Sequence, residues 1–239
     1  MMNTQSWDVE IVGTWRLLHR RKPVKVTLRQ QRLITALALR GPQPRALLAG
    51  LLWPNSTEKQ ATGSLRETIW TINHQLPGLL SGGLVPGGGM QPMALSADVV
   101  VDADDIRRRA HAADVSRGSR ERGELLALLS DAELLPGWYE DWVLAEQDRW
   151  ERMRLTVLER LSAECLAAGE IERAKEAALR AVDIDPWREN AHRLLLETYR
   201  AEGDQAKMIR VYEDFSERLK AEFGVSPSPR IANVVGGLL

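Results

Sequence analysis

The sequence has one cysteine, two phenylalanines and no long hydrophobic run among its 239 residues. Its single cysteine, Cys165, can form no disulfide within the chain, which is typical of a protein from a reducing compartment. No apolar stretch approaches the roughly 18 residues that a membrane span requires, and the first residues lack the basic and apolar regions of a signal peptide. We therefore expect a cytoplasmic protein that makes no use of a membrane.

Common enzyme motifs are also missing. The sequence has no GxSxG motif, no HExxH motif and no Cys/His nucleophile arrangement, and its four histidines are scattered without metal-ligand spacing. The glycine-rich run VPGGGMQP lacks the lysine of a phosphate-binding loop and does not open a helix. These absences predict a protein with no catalytic residues, no metal site and no cofactor.

Charge is distributed unevenly, although the formal net charge is only −1. Residues 1–97 contain 11 basic and 4 acidic side chains, whereas the remaining residues contain 21 and 29. The first part therefore carries +7 and the rest −8. A basic segment indicates a polyanionic partner, although positive charge also serves solubility alone.

The first 101 residues predict a small β component with three helices. The run VEIVGTWRLLHRRKPVKVTL indicates an antiparallel sheet with a turn at Lys22-Pro23. Apolar periodicity then predicts two helices, and a third from about Thr57 to Leu76 with Ser56 as its cap. A glycine-rich hairpin follows. Sheet, three helices and hairpin form the element order of a winged helix.

Residues 102–239 predict an all-α domain. Helical periodicity dominates this part of the chain, and two segments beginning at Gly169 and Gly203 align with an offset of 34 residues. That period is typical of tetratricopeptide repeats, whose helix pairs bury their faces by stacking on neighbours. An ordinary helical bundle is the alternative. Four tryptophans should anchor the core and the repeat interface: Trp138, Trp142, Trp150 and Trp187.

The third predicted helix has two different faces. At about 100° per residue, its apolar residues Ala61, Leu65, Ile69 and Ile72 share one face that should pack on the other two helices. Cationic, hydroxyl and amide side chains on the opposite face and its flank suit the major groove of DNA. A solvated helix face is the alternative. The candidate DNA-binding residues are Lys59, Arg66, Trp70, Thr71, Asn73 and His74.

A family resemblance supports the interpretation of this helix as a DNA-binding helix. The run LLAGLLWPNSTEKQATGSLRETIW resembles the recognition region of the Streptomyces antibiotic regulatory proteins (SARPs). The runs LLPGWYEDWVLAEQDRWERMRLTVLERL, IDPWRENAHRLLLETYRAEGD and RLKAEFGVSPSPRI resemble the bacterial transcriptional activator domain (BTAD) of the same family. Both blocks occur in family order, an OmpR-like winged helix before a BTAD.

The resemblance implies a transcription activator that binds direct repeats in double-stranded promoter DNA as a homodimer and helps recruit RNA polymerase holoenzyme. Gln60–Gln75 would be its recognition helix and Leu84–Leu95 its wing. Two departures reduce the expected affinity. The recognition helix lacks the arginine-rich tail of its relatives, and residues 81–97 contain no Lys or Arg. The alternative is a protein-interaction module with a degenerate winged helix, which regulates through a partner protein.

Overall fold

The computed structural model describes residues 7–84, 90–111 and 118–236. The chain divides into two compact units, each built from two segments. The first unit is Met1–Arg107 with Glu133–Gln147, and the second is Arg108–Ala132 with Asp148–Leu239. The described residues form ten helices and two small sheets.

A four-stranded sheet opens the first unit. Its strands are β1 (Trp7–Glu10), β2 (Arg16–His19), β3 (Lys22–Pro23) and β6 (Val100–Val101), in the order β3-β2-β1-β6. β1 pairs antiparallel with β2 and parallel with β6. The turn prediction at Lys22-Pro23 is wrong, because those residues form β3. Arg20 and Arg21 make the turn, with φ angles of 51° and 63°.

Three helices follow the first three strands: α1 (Leu28–Arg40), α2 (Arg45–Leu52) and α3 (Glu58–Gln75). Reciprocal capping boxes begin two of them, Thr27 with Gln30 at α1 and Thr57 with Gln60 at α3. The cap of α3 is therefore Thr57 and not the expected Ser56. Thr57 is the N-cap because it lies three residues before Gln60, the spacing that a capping box requires.

The third helix buries the predicted apolar face. Ala61, Leu65, Ile69 and Ile72 are all buried, and Thr68 is buried beside them with its hydroxyl bonded to the Ser64 carbonyl at 2.8 Å. α3 packs on both α1 and α2. The opposite side of α3 is consequently left for solvent or a ligand.

A β-hairpin completes the winged-helix order. It consists of β4 (Leu80–Leu84) and β5 (Met90–Leu95), which pair antiparallel with a register shift between Ser81 and Gly83. Gly82 sits in this irregularity at φ 90°, where an added Cβ would lie 2.0 Å from the Pro92 carbonyl oxygen. Glycine is therefore required at that position. Residues 85–89 of the predicted wing lie outside the described residues.

The segment Glu133–Gln147 packs within the first unit, which the sequence did not predict. The Leu135 amide donates to the Ile11 carbonyl at 2.9 Å, and the Gly13 amide donates to the Glu133 carbonyl at 2.7 Å. These bonds flank an isolated antiparallel bridge between Val12 and Leu134, just after the end of β1. The apolar side chains that the segment buries are Leu134, Leu135, Trp142 and Val143.

Seven helices of the described residues remain, and they contribute most of the second unit. They are α4 (Asp102–His111), α5 (Ser119–Ser130), α6 (Asp141–Ala167), α7 (Ile171–Ile184), α8 (Glu189–Glu202), α9 (Gln205–Phe223) and α10 (Pro229–Val235). α7 packs on α8, and α8 packs in turn on α9 and α10. Left-handed glycines precede α7 and α9, with φ angles of 75° at Gly169 and 79° at Gly203. The two glycines occupy equivalent places 34 residues apart.

The repeat extends to the buried side chains. Ala174 and Met208 are equivalent and both fully buried, as are Ala181 and Phe215. A mainly α protein with an N-terminal winged helix and a tetratricopeptide-like domain is therefore confirmed as the fold class.

The four tryptophans that were expected to anchor the core differ in burial. Trp142 and Trp150 are buried, Trp138 is half-buried, and Trp187 is 37% exposed. Trp187 is not a core residue and lies in the loop before α8, but its ring contacts α9 of the following repeat, with 5.0 Å between its centroid and that of Phe223.

Candidate nucleic-acid interface

The six candidate DNA-binding residues lie together on one side of α3. Five of them are exposed, and Thr71 is half-buried on the flank. Lys59, Arg66, Trp70 and Asn73 follow each other at intervals of seven, four and three residues, which keeps them on one helical face. Packing of the opposite face on α1 and α2 places this stripe outward.

In the part of the chain that the structure describes, the cations of the stripe have no acidic partner. Within the described residues, neither Lys59 nor Arg66 lies within 4 Å of a carboxylate oxygen, and both side chains belong to exposed residues. Their separation of seven residues corresponds to about 10 Å along a helix. Two unpaired cations on one helix face can contact phosphates or the acceptor groups of guanine.

The last turns of α3 carry two aromatic side chains, Trp70 and His74, and one amide side chain, Asn73. Trp70 is 61% exposed, and its ring packs against the His74 ring with 4.0 Å between centroids and a 32° interplanar angle. His74 Nδ1 lies 2.8 Å from the Trp70 carbonyl oxygen. The ring of His74 is therefore held by two contacts within its own helix, and exposed Asn73 lies beside it.

On the flank of α3, Thr71 and Glu67 already make contacts within the protein. The Thr71 hydroxyl donates to the Glu67 carbonyl at 2.9 Å, so its proton is used inside the helix. The Glu67 carboxylate lies 3.9 Å from the Arg29 guanidinium at the start of α1. Both side chains are mostly exposed, so this ion pair contributes little to stability.

A second group of cations lies at the β2–β3 turn and just after it: Arg20, Arg21, Lys22 and Lys25. All four are exposed, and none has a carboxylate within 4 Å in the described parts of the chain. The turn is tied to the end of α3 through Trp7. Its ring stacks on His19 at 4.2 Å, and its indole N–H donates to the Pro77 carbonyl at 3.2 Å.

Other cations of the first unit are neutralised by the segment 133–147. Arg32 of α1 lies 2.7 Å from Glu140, and Arg40 lies 3.4 Å from Glu146. Glu146 is buried, so this contact places its carboxylate beside a guanidinium and away from solvent. The sequence-based count missed the effect because these acids follow residue 97. By spatial unit, the first contains 12 basic and 12 acidic residues and the second contains 20 and 21.

No group of three or more His, Cys, Asp or Glu residues that could hold a metal ion occurs in the described residues. Cys165 is buried, and burial raises the pKa of its thiol, which disfavours the reactive thiolate. Within the same residues, no helix is both long enough and apolar enough to cross a membrane.

The two units thus define a winged helix joined to a helical repeat domain. Residues 98–239 match the bacterial transcriptional activator domain. This match covers more than half of the chain, and the protein belongs to that family, whose members are transcription regulators and not a class of enzymes. The resemblance to SARPs and their BTAD is confirmed.

A solved structure supports the fold. EmbR of Mycobacterium tuberculosis, solved in complex with a low affinity phosphopeptide, matches 97% of this chain with a TM-score of 0.76 and 16% sequence identity. The chain spans 64% of the EmbR chain. Among curated proteins, none matches the sequence.

Proposed function

We propose that the protein is a sequence-specific DNA-binding transcription activator of the cytoplasm, which binds promoter repeats as a homodimer and helps recruit RNA polymerase holoenzyme. The winged helix, residues 1–101, binds DNA, and the activator domain, residues 102–239, supplies self-association or polymerase contact. The protein performs no catalysis of its own in this role. The DNA-binding residues are Lys59, Arg66, Trp70, Thr71, Asn73 and His74.

The observation that carries this proposal is the outward stripe on α3. A recognition helix must present cations and hydrogen-bonding side chains while its other face is buried. Lys59 and Arg66 meet the first requirement because no acid among the described residues neutralises them, and the buried Leu65 and Ile69 meet the second. The unpaired cations of the β2–β3 turn add phosphate contacts beyond those of the helix.

One observation favours the alternative of a protein-interaction module. The first unit has equal numbers of basic and acidic residues, and its predicted wing contains neither Lys nor Arg. Since phosphate contacts supply most non-specific DNA affinity, a unit without excess positive charge binds DNA weakly. Under this alternative, the exposed Trp70 contacts a partner protein instead of bases.

Selection of bound genomic fragments, followed by a salt series on the selected site, tests the proposal. Each phosphate contact changes the slope of log affinity against log salt by about −0.9. A protomer that uses only the two α3 cations should therefore show a slope of about −2. One that also uses the four cations around the turn should show a slope of about −5.

Tandem sites provide the second readout. Binding to one half-site should be weak, and two adjacent half-sites should bind more tightly because the second contact becomes effectively intramolecular. Polymerase holoenzyme at the same promoter should add a further gain. Absence of binding at low salt, with no gain on tandem sites, would contradict the proposed DNA binding and favour the protein-interaction alternative.

A further inference from the structure

The imidazole of His74 has a defined hydrogen-bonding character. Its Nδ1 lies 2.8 Å from the Trp70 carbonyl oxygen. A carbonyl oxygen only accepts hydrogen bonds, so Nδ1 must carry the proton that it donates. In the neutral ring, the other nitrogen, Nε2, is then an acceptor. His74 is exposed, so Nε2 is accessible to a ligand.

Its orientation is restrained as well. The ring packs on the Trp70 ring with 4.0 Å between centroids, and the hydrogen bond to the Trp70 carbonyl holds the ring at its Nδ1 edge. A side chain that is already ordered loses less rotational freedom on binding than a free one. The last turn of α3 thus presents a pre-organised acceptor.

The chemistry of the major groove limits what such an acceptor can bind. Phosphate oxygens, guanine N7 and O6, and thymine O4 are acceptors and offer no proton to Nε2. The exocyclic amino groups of adenine (N6) and cytosine (N4) are the donors on the base edges. No lysine or arginine occurs from residue 67 to residue 79, so this end of the helix has no cation of its own for phosphate contact.

We propose that His74 is a specificity-determining residue, whose Nε2 accepts a hydrogen bond from an adenine or cytosine amino group in the major groove. The proposal rests on the proposed DNA-binding function. It divides α3 into a first part, where Lys59 and Arg66 supply cationic contacts, and a last part, where His74 reads one base.

The test uses the full-length chain and the site selected by the wild type. Affinity is measured for the wild type and for His74→Ala on sites that carry each of the four bases at every position. At one position, the wild type should prefer adenine or cytosine by about three- to tenfold, the usual range for one hydrogen bond. His74→Ala should lose this preference there and keep the others.

A functional-group deletion identifies the atom involved. Purine in place of adenine, or 2-pyrimidinone in place of cytosine, removes only the amino group at that position. The wild type should lose about three- to tenfold in affinity on the modified site, whereas His74→Ala should bind both sites equally. Lys22→Ala, outside α3, is the control, because loss of a phosphate contact weakens binding evenly across sequences.

The results distinguish failure of the proposed role of His74 from failure of the proposed DNA-binding function. An even loss across all base variants in His74→Ala, or unchanged base preferences, would overturn the role of His74 while leaving DNA binding intact. Failure of the wild type to bind any DNA at low salt would instead overturn the proposed function. Circular dichroism of His74→Ala should match the wild type, because the side chain is exposed.

Discussion

Two arginines, one in each unit, have opposite roles. In the second unit, Arg154 is 5% exposed, and its guanidinium donates to the carbonyl oxygens of Leu129 (2.8 Å) and Ser130 (3.1 Å) at the end of α5. In the first unit, Arg66 is exposed on α3 with no carboxylate within 4 Å among the described residues. The same group therefore closes a helix end in one unit and remains available to a ligand in the other.

Acidic residues sharpen this contrast. In the second unit, hydrogen bonds from Arg122 and then Arg173 lower the pKa of Glu170 to about 2. In the first unit, acids of the segment 133–147 pair with two arginines of α1. Among the described residues of the first unit, the cations without a carboxylate within 4 Å include Lys59 and Arg66 of α3 and those of the β2–β3 turn. Total charge is a poorer guide to a DNA interface than the location of unpaired cations.

The largest expected effect comes from removal of the segment 133–147. A fragment of residues 1–107 should be several kcal/mol less stable than one of residues 1–147. It lacks four buried apolar side chains, each contributing about 1.5–3 kcal/mol. Urea denaturation followed by circular dichroism measures the difference. Equal stability of the two fragments would mean that this segment is not part of the first unit.

A fragment that covers the activator domain tests the predicted domain boundary. Residues 98–239 should fold alone as a helical protein, because the repeat helices α7 to α10 bury one another's faces. Its far-ultraviolet circular dichroism should show helix content in line with the structure. A disordered spectrum would contradict a separate activator domain.

Loss of a repeat-interface side chain should rank next. Phe215 is 1% exposed in the cluster with Leu195 and Tyr199, so Phe215→Ala should cost about 3–5 kcal/mol through lost burial and cavity formation. Tyr212→Ala, on the same helix but only partly buried, is the matched control and should cost less. Equal losses in urea denaturation would contradict the facing of α9.

A matched pair of arginine substitutions tests the contrast directly. Arg154→Met keeps the aliphatic volume but leaves two carbonyl groups without their donor, which should cost about 1–3 kcal/mol. Arg66→Met should change stability by less than about 0.5 kcal/mol, and should weaken DNA binding. Similar destabilisation by both variants would show that Arg66 supports the fold.

The smallest expected effect concerns pH. His192 is buried against Phe215, and its Nδ1 has no hydrogen-bond partner within the described structure. Burial lowers the pKa of His192 from its ordinary 6.5, and Arg218 lowers it further, while the Pro186 carbonyl and Asp185 oppose the shift. The folded chain therefore favours neutral imidazole, and the unfolded chain binds the proton first. Stability should be full above about pH 6.5 and fall below it.

His192→Gln should flatten the loss of thermal stability between about pH 7.5 and 5.5. Glu170→Gln should act in a different window. The lowered pKa of Glu170 makes its contribution present above about pH 4.5 and lost as the pH falls toward about 2. An unchanged pH profile in His192→Gln would show that His192 does not couple protonation to folding.

Several elements were predictable because their signals are local. Apolar spacing and the Gly and Pro residues at the helix ends located α1, α2 and α3 within a few residues, and the 34-residue offset placed Gly169 and Gly203 at equivalent turns. The outward position of Arg66 and Trp70 followed from the period of the helix alone. The tautomer of His74 did not, because it depends on a hydrogen bond that only coordinates reveal.

The sequence by itself determined the helices, the repeat period and the face of α3, since each depends on residues a few positions apart. Tertiary structure alone decided that β6 pairs parallel with β1 and that Glu133–Gln147 joins the first unit. It also decided which cations are neutralised, as for Arg32 beside Glu140. These pairings join residues about 90 to 120 positions apart, and local propensity carries no information on which distant partner a strand or charge will find.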